Sequence, residues 1–522
     1  MRRSGGPLYR SNDRGPDHDA FGQNSNRSRS MADVSTIRAL DAVKALAFIG
    51  DLSMGQPTDH SLRTSWLAAR LAAEAGHDDA QCCVVQEVSL LRWSGCTANA
   101  AGFSEWLGDD IGSREAMLAM RPGWSGEAGA AGRVEAAIQP LAQIHCEVSG
   151  EIARMLGLED MTQTALRHIF ESWDGGGFPD RLDGARVPQA VFLVALASDL
   201  EILSRVYGLE GAQKLIAQKA GHQYPETLSR IACERAGGWL AELDQQTAAG
   251  RDAPLDALPM QQCTAPEIVA DVIDLKLPWM AGYSRRVAEA AAGCGTRLGF
   301  DTEMRQRTYL AALIHGMGRM AVSNAIWNTP GRLSAAAWEK VRLVPYWTAR
   351  AGKQIGALAR ETEIASQAYE RLDGSGYFRG AAGAAIGQEA RVLAAAACWV
   401  ALRSSRPWRA ALSADEATAA LGEEVRAGRL DADLVSALLS FVKDGHEPVA
   451  DRARPAARAT LLSPREAEVL RHISLGGSNK EVARALQMSP STVRTHVESV
   501  FRKLECSTRA AATLKASTLG LI

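Results

Sequence analysis

The stretch "SPREAEVLRHISLGGSNKEVARALQMSPSTVRTHVESVFRKL", residues 463–504, predicts three short helices in succession. Each predicted helix begins at a serine that can accept a hydrogen bond from the first-turn backbone: Ser463, Ser478 and Ser489. A glutamate three residues after each of the first two serines completes a capping box, and Gly476 and Gly477 end the first helix. Short helices joined by tight turns predict a compact helix-turn-helix domain, with a fourth helix from about Thr508.

The third of these helices has one apolar and one polar face. The apolar stripe, which should pack inside the domain, is Val493, Val497, Val500 and Leu504. The polar face carries side chains that can bind phosphate and contact base edges: Ser491, Thr492, Arg494, Thr495, Glu498 and Arg502. Residues 461–522 hold nine Lys/Arg against five Asp/Glu, so they carry +4 of a chain whose total is −2. A basic module on an acidic body predicts DNA binding rather than a merely solvated face.

This segment resembles the LuxR/FixJ-type DNA-binding domain along almost its whole length. The resemblance implies that the helix at 490–504 enters the major groove of double-stranded DNA, with Arg494, Thr495 and Glu498 at base-contacting positions. Positions that contact the DNA backbone or support the fold in that family are Lys480, Thr492, His496 and Lys503. The fourth helix, with Leu514 and Thr518, normally makes the dimer contact, so a homodimer on a two-fold site is expected. Glu498 often is Lys in the family, which leaves the preferred DNA sequence open.

An ordered internal repeat lies in the residues that precede this domain. The matched segments are "HSLRTSWLAARLA" (60–72) with "YSRRVAEAAAGCG" (283–295), "LLRWSGC" (90–96) with "LIHGMGR" (313–319), and "ESWDGGGFPDRLDGARVP" (171–188) with "ERLDGSGYFRGAAGAAIG" (370–387). The offsets between matched positions are 223, 222 and 199, where 222 relates Trp93 to His315 and the fall to 199 follows one insertion. The repeat predicts two copies of one helical fold.

The second copy resembles the HD-GYP family, an all-helical branch of the HD phosphohydrolases, from about residue 270 to 440. The resemblance rests on "AALIHGMGRMAVSNAIWNTPGRLS", "ERLDGSGYFRG" and "EARVLAAAACWVALRSSRPWR". Members of that family use His and Asp ligands, including the HD pair, to hold two or three metals that activate water on a phosphodiester, typically cyclic di-GMP. Several ligands are needed at once, because one imidazole cannot hold a divalent cation against water.

Carried over position by position, the ligand set of this family is incomplete in both copies. In the second copy only His315 of the HD pair remains, and Gly316 follows it. Its other ligand positions hold Tyr283, Val344, Ala368, Tyr369, Ala397 and Val400. In the first copy the matching ligand positions are His60, His145 and Asp199. The HD pair there is assigned to Trp93 and Ser94, and the paired histidines to Ile169 and Phe170 with His168 beside them.

These losses predict a body that binds but does not hydrolyse, with no metal, no cofactor and no catalytic residue. His60, His145, Asp199 and His315 are then vestigial, and apolar side chains fill the former metal cavity. The alternative is a metal-dependent phosphohydrolase, or cyclic-dinucleotide phosphodiesterase, with a residual site in the first copy. A site shared between the copies, and a scaffold that uses its helix-turn-helix for protein contacts, are two further alternatives.

The loops "WDGGGFP" and "LDGSGYF" keep an Asp-Gly turn in each copy. Their glycines are expected to take positive φ: Gly175, Gly177, Gly374 and Gly376. These loops are interpreted as framework, with a nucleotide- or protein-binding role as the alternative. Arg371 and Arg379 beside the second loop could hold an anion.

The predicted architecture is all-α, with two HD-like helical domains in tandem and a four-helix LuxR-type helix-turn-helix domain. Its parts are a disordered tail at 1–34, the first copy at 35–255, the second at 256–443, a linker at 444–460 and the DNA-binding domain at 461–522. Met31 is an alternative start. Nine scattered cysteines without a CxxC pair favour a reducing cytoplasm, and no apolar run is long enough to span a bilayer.

The predicted function is a cytoplasmic transcription regulator whose HD-GYP-like body senses a nucleotide or protein effector or mediates dimerisation, with no membrane partner. The target DNA sequence, the effector and the direction of regulation stay open.

Overall fold

The computed structural model describes residues 36–124, 131–246, 255, 259–446 and 461–522. The predicted tail at 1–34 lies outside the described residues, as do residues 447–460 of the predicted linker. The all-α prediction is confirmed, since the described strands are only Ile37–Arg38 and Cys263–Thr264, which pair antiparallel. No helix in the described part of the chain is long and apolar enough to cross a membrane.

The first HD-like copy is built around α1, a helix whose residues are all buried, including the charged side chains of Asp41, Lys44 and Asp51. Around it, α2 packs against α3 and α8, and α6 packs against α7. The helices of this copy are α1 (Ala39–Ser53), α2 (His60–Glu74), α3 (Asp79–Leu91), α4 (Ala100–Leu107), α5 (Asp110–Leu118), α6 (Ala131–Met155), α7 (Asp160–Arg167), α8 (Gln189–Lys219) and α9 (Glu226–Gln245).

The second copy has α11 at its centre, where it packs against α12, α17 and α19. Its helices are α10 (Glu267–Leu275), α11 (Tyr283–Arg297), α12 (Thr302–Ile314), α13 (Asn324–Trp327), α14 (Ala335–Arg342), α15 (Val344–Gln354), α16 (Ala359–Ala365), α17 (Gln388–Leu402), α18 (Ala414–Arg426) and α19 (Ala432–Phe441). One cluster of buried apolar side chains runs through both copies. We refer to the two copies together as the body.

The two copies share a buried carboxylate at equivalent places. In the first copy Asp51 accepts hydrogen bonds from the backbone N–H and the hydroxyl of Ser61, at 3.0 and 2.6 Å. In the second copy Asp274 accepts the same two bonds from Ser284, both at 2.7 Å. The carboxylate satisfies a first-turn N–H of the next long helix, which would otherwise be unpaired in the core. Both pairs are separated by the offset of 223 residues found in the sequence.

The glycines of the two Asp-Gly loops differ from the prediction. Gly175 and Gly374 do take positive φ, of 78° and 79°. The prediction was wrong for Gly177 and Gly376, which are not among the described residues with positive φ. A Cβ at either position would lie 2.3–2.4 Å from backbone of the turn before it, so glycine is needed there for close approach.

The C-terminal domain has the predicted four helices: α20 (Pro464–Ser474), α21 (Asn479–Ala485), α22 (Pro490–Leu504) and α23 (Arg509–Thr518). The three predicted serine caps are confirmed, and the first two form complete capping boxes. The predicted apolar stripe of α22 is buried in a core cluster that belongs to this domain alone. The domain therefore has a core of its own.

Candidate functional site

His315 is the one HD-pair residue that the second copy keeps, and it is fully buried behind the end of α12. Its Nδ1–H donates to the Ala312 carbonyl at 2.6 Å, so Nε2 is the acceptor, and the Arg319 guanidinium donates to it at 2.7 Å. Burial and the Arg319 charge lower the pKa of His315 to about 3, which keeps the imidazole neutral. Other ligand positions of this copy hold buried apolar side chains: Val344, Ala368, Ala397 and Val400.

Arg319 occupies the centre of this site. Its guanidinium lies 5.0 Å from the ring centroid of Tyr283 and donates to the Tyr369 hydroxyl at 3.2 Å. Asp274 lies 4.0 Å from it, but both carboxylate oxygens of Asp274 already accept from Ser284. Burial raises the pKa of Asp274 to about 6. These residues do not fit the two or three metals that the resemblance implies, because a cationic side chain already holds the one imidazole.

The HD-pair positions of the first copy are Arg92 and Trp93, and the assignment to Trp93 and Ser94 was wrong by one residue. Arg92 directly follows the last residue of α3, as His315 directly follows the last residue of α12. The offset of 223 residues also relates Arg92 to His315. Each copy therefore has an arginine guanidinium near its HD-pair position, Arg92 itself in the first and Arg319 in the second.

His60 is bound to a carboxylate at the start of α2. Its Nδ1 lies 2.6 Å from Oε2 of Glu201, and both side chains are buried. Glu201 also accepts from Arg63 Nε at 3.2 Å. Although burial opposes ionisation, the charges of His60 and the nearby arginines hold the pKa of Glu201 at about 2. His60 is thus already hydrogen-bonded to a buried carboxylate.

His145 and Asp199 do come together, since both line one cavity of the first copy, whose lining does not include His60. His145 Nε2–H donates to the Arg92 carbonyl at 2.7 Å, and burial lowers its pKa to about 3. The Asp199 carboxylate forms an ion pair with Lys219 at 2.8 Å. The structure therefore assembles two of the three residues of the alternative ligand set.

One group of three side chains, within the part of the chain that the structure describes, offers ligand atoms within 4.8 Å of one another: His168, Glu171 and Asp180. Glu171 also accepts from the backbone N–H groups of Asp180 and Leu182, at 2.7 and 2.9 Å. Glu370 makes the equivalent backbone contacts in the second copy. Of this group only His168 was named from the sequence, because Glu171 and Asp180 flank the Asp-Gly loop that was interpreted as framework.

The predicted DNA-binding residues lie on α21 and α22, and α22 packs on the other three helices of its domain. Most are exposed, namely Lys480, Ser491, Thr492, Arg494, Thr495, Glu498 and Arg502, whereas His496 and Lys503 are half-buried. Arg494 Nε pairs with Glu498 Oε1 at 2.8 Å, so the unusual acid has a local partner. Lys503 Nζ binds the capping carboxylate of Glu466 at 2.6 Å, which ties α22 to α20.

The fourth helix of this domain, α23, packs against α6 and α10 of the body. Leu514 is buried in the cluster that runs through the body, not in the cluster of its own domain. Just before α23, Ser507 donates its backbone N–H and hydroxyl to Glu147 of α6, at 2.5 and 3.0 Å. Lys515 Nζ lies 3.4 Å from Glu151 Oε2. We call the surface of α6 formed by Glu147, Glu151 and Met155 the docking face.

Comparison with known proteins finds two families. Residues 267–434 match the model of the HD domain, and residues 460–516 match that of the bacterial regulatory proteins of the luxR family. The 3'3'-cGAMP-specific phosphodiesterase 3 of Vibrio cholerae is 25% identical over 419 residues, which cover 74% of this chain and 91% of that protein. The probable transcriptional regulatory protein NarL of Mycobacterium tuberculosis is 48% identical over 71 residues, 14% of this chain and 33% of that protein.

A second Vibrio cholerae relative, 3'3'-cGAMP-specific phosphodiesterase 1, is 31% identical over 172 residues, 33% of this chain and 40% of that protein. A crystal structure of cyclic GMP-AMP specific phosphodiesterases in V. cholerae (V-cGAP3) covers 78% of this chain and 98% of its own, with a TM-score of 0.56 and 22% identity. The HD-type fold and both family resemblances are confirmed. The prediction that the chain is not an enzyme is contradicted, since the relative that matches most of the body is a named phosphodiesterase.

Proposed function

We propose that this chain, an HD-domain protein with a LuxR-family DNA-binding domain at its C-terminal end, is a transcription regulator whose body controls DNA binding through α23. One observation supports this proposal above the others. The residues at which the LuxR resemblance implies a dimer contact both contact the body: Leu514 is buried in its core cluster, and Thr518 Oγ1 lies 3.7 Å from Sδ of Met155. In the docked form α23 is therefore not free to pair with a second copy.

The polar face of α22 is not part of the docking contact, since its predicted base-contacting residues stay exposed. A docked domain can then bind one half of a two-fold DNA site, but it cannot dimerise through α23 with a second domain on the other half. Joint binding of two linked half-sites exceeds the affinity of either half, because the second contact becomes intramolecular. Release of α23 from the docking face would thus raise affinity for a two-fold site and leave half-site affinity unchanged.

The test compares DNA affinity of the full chain with that of a fragment of residues 461–522, which keeps its own core cluster. DNA selected with the fragment supplies the two-fold site, and one half of it supplies the control. The fragment should bind the two-fold site more tightly than the full chain, with equal affinity for the half-site. Equal affinity for the two-fold site would contradict the proposal.

A second candidate function is hydrolysis of a cyclic dinucleotide by the body. It is supported by the likeness to relatives named 3'3'-cGAMP-specific phosphodiesterases and by the ligand atoms of His168, Glu171 and Asp180. Carboxylate and imidazole donors of this kind suit Mn²⁺ or Fe²⁺, which can activate water for attack on a phosphodiester.

The assay for this second function incubates the purified full chain with 3'3'-cGAMP and either metal, and follows the linear product. Turnover should be lost in Asp180→Asn and kept in Asp183→Asn, a matched change at an exposed loop carboxylate that is not in the group. Absence of product from the unmodified chain with both metals would refute it.

A further inference from the structure

The first copy encloses a cavity of about 240 Å³ that the proposed control of DNA binding does not use, and it shares one residue, Glu171, with the group considered for hydrolysis. Its walls come from α4, α5, α6 and α8 and from the loops that follow α3 and α7. The charged and aromatic groups that matter most are Arg92, Trp93, His145, Phe170, Asp199 and Lys219. Charged and aromatic side chains are thus mixed around one small space.

Arg92 is the unusual residue of this cavity, because it is only 5% exposed yet two nitrogens of its guanidinium have no hydrogen-bond partner among the described residues. Among the described residues no acceptor lies within hydrogen-bond distance of its Nε or Nη1, and Asp199, the carboxylate whose charge acts most on it, forms its ion pair with Lys219. Burial lowers the pKa of Arg92 to about 10, so the group stays charged at neutral pH. A buried charge without an acceptor is strongly unfavourable, and an anion in the cavity would supply the missing one.

The other charges around the cavity do not neutralise Arg92. Lys219 and Asp199 form an ion pair with each other. Glu171 accepts from two neutral backbone N–H groups, so it adds one negative charge to the wall. Arg114, also on the wall, donates only to two backbone carbonyls and to an amide oxygen, so it adds a second positive charge. Three positive groups of the wall, Arg92, Arg114 and Lys219, stand against two negative ones, Asp199 and Glu171, so the net charge of +1 favours an anionic ligand.

The remaining wall is apolar and aromatic. The Arg92 guanidinium lies 4.6 Å from the ring centroid of Trp93, and Phe170 lies 6.2 Å from the same ring system. Phe103 and Phe178 also line the cavity. The volume is below the roughly 300–1,000 Å³ of pockets for drug-sized ligands, which selects a small guest and excludes a cyclic dinucleotide.

We propose that this cavity binds a small organic anion, a carboxylate or phosphate on a flat ring, with the anionic group on Arg92 and the ring against the aromatic side chains. The cavity also lies where its ligand can affect the docking of α23, an inference that rests on the proposed function. Helix α6 contributes Ile138 and His145 to the cavity wall and Glu147 to the docking face. Ligand binding itself requires no role for α23 and is tested separately.

The experiment titrates the full chain by calorimetry with benzoate, phenyl phosphate and inorganic phosphate. One ring-bearing anion should bind with one-to-one stoichiometry and more tightly than inorganic phosphate, and the first two probes separate a carboxylate from a phosphate guest. Arg92→Gln should weaken that binding by roughly tenfold or more, since it removes a charge-assisted contact. Arg186→Gln, an exposed arginine outside the cavity, is the matched control.

Folding of the variants is controlled by thermal unfolding without ligand. Arg92→Gln should unfold at the same temperature as the unmodified chain or higher, because an unpaired buried charge is removed. A second variant, Ile138→Trp, fills the cavity from a half-buried position and should abolish binding. The proposal is overturned if no probe binds the unmodified chain, or if Arg92→Gln and Ile138→Trp both bind as it does. Either result would leave the docking of α23 untouched.

Discussion

The double variant Glu147→Ala and Glu151→Ala removes both carboxylates of the docking face. It should weaken the docking of the DNA-binding domain on the body. Glu147 accepts two hydrogen bonds from Ser507, and Glu151 lies 3.4 Å from the Lys515 ammonium. Lys515 also donates to two backbone carbonyls of its own domain, both at 2.9 Å. The double change also removes the carboxylate that pairs with Arg154, but the Arg154 side chain is 53% exposed and water can solvate it, so the effect on docking comes from the lost contacts to Ser507 and Lys515.

The size of the expected change in docking free energy follows from the solvent exposure of these groups. Hydrogen bonds to a charged group contribute about 1.5–3 kcal/mol when shielded, and the exposure of Ser507 reduces this to about 1 kcal/mol. The pair with buried Glu151 adds about 1 kcal/mol, since Lys515 keeps its other acceptors. A total of about 2 kcal/mol corresponds to a roughly 30-fold shift of the docking equilibrium. Burial of Leu514 persists, so docking is weakened rather than abolished.

The assay measures dissociation constants by fluorescence anisotropy at one fixed salt concentration, on the two-fold site and on its half-site. The double variant should bind the two-fold site more tightly than the unmodified chain, by a factor of up to about 30, with half-site affinity unchanged. Glu242→Ala, which removes an exposed carboxylate paired with Arg70 of the first copy, is the matched control. Affinity for the two-fold site equal to that of the control would refute the reasoning.

The other predictions concern stability and DNA contact. Because the pKa of folded His315 is lowered to about 3, only the unfolded chain binds a proton at this residue below about pH 6.5. Between about pH 7 and 5 the free energy of unfolding, measured with denaturant, should therefore fall by about 2 kcal/mol more in the unmodified chain than in His315→Gln. Gly376→Ala should lower the melting temperature through a clash worth about 1–3 kcal/mol, whereas Gly238→Ala, at an exposed helical position with no atom within 4 Å of the added Cβ, should not. Arg502→Ala should reduce the slope of log affinity against log salt by about 1 on the half-site; an unchanged slope would remove it from the phosphate contacts.

Local signals in the sequence were sufficient for the C-terminal domain. The capping serines and the apolar stripe of α22 act within one or two helical turns, so the pattern predicts them directly, and the structure has them as expected. The docking contact is different, because Ser507 and Glu147 are 360 residues apart in sequence. No local pattern marks such a pair, and the packing of α23 on the body was not predicted.

In the body, the repeat was predictable but its functional positions were not. The one-residue error at Arg92 arose because the first-copy motif "RWSG" has neither His nor Asp to fix the alignment, whereas the capping geometry of α3 fixes it. The contact between Arg319 and His315 depends on the helical turn that follows His315. The spacing of residues in the sequence does not show that this turn brings the two side chains together. The expectation of no enzymatic activity rested on these positions only, and it left Glu171 and Asp180 unconsidered.

Amide hydrogen exchange at Ser507 in the full chain tests the central claim most directly, because this N–H donates to Glu147 across the docking contact. In the free protein the amide should be protected, and binding of a two-fold DNA site should make it exchange faster, together with the docking-face end of α6. Half-site DNA should cause neither change. If Ser507 stays equally protected on two-fold DNA, α23 remains on the body during DNA binding and the account is wrong.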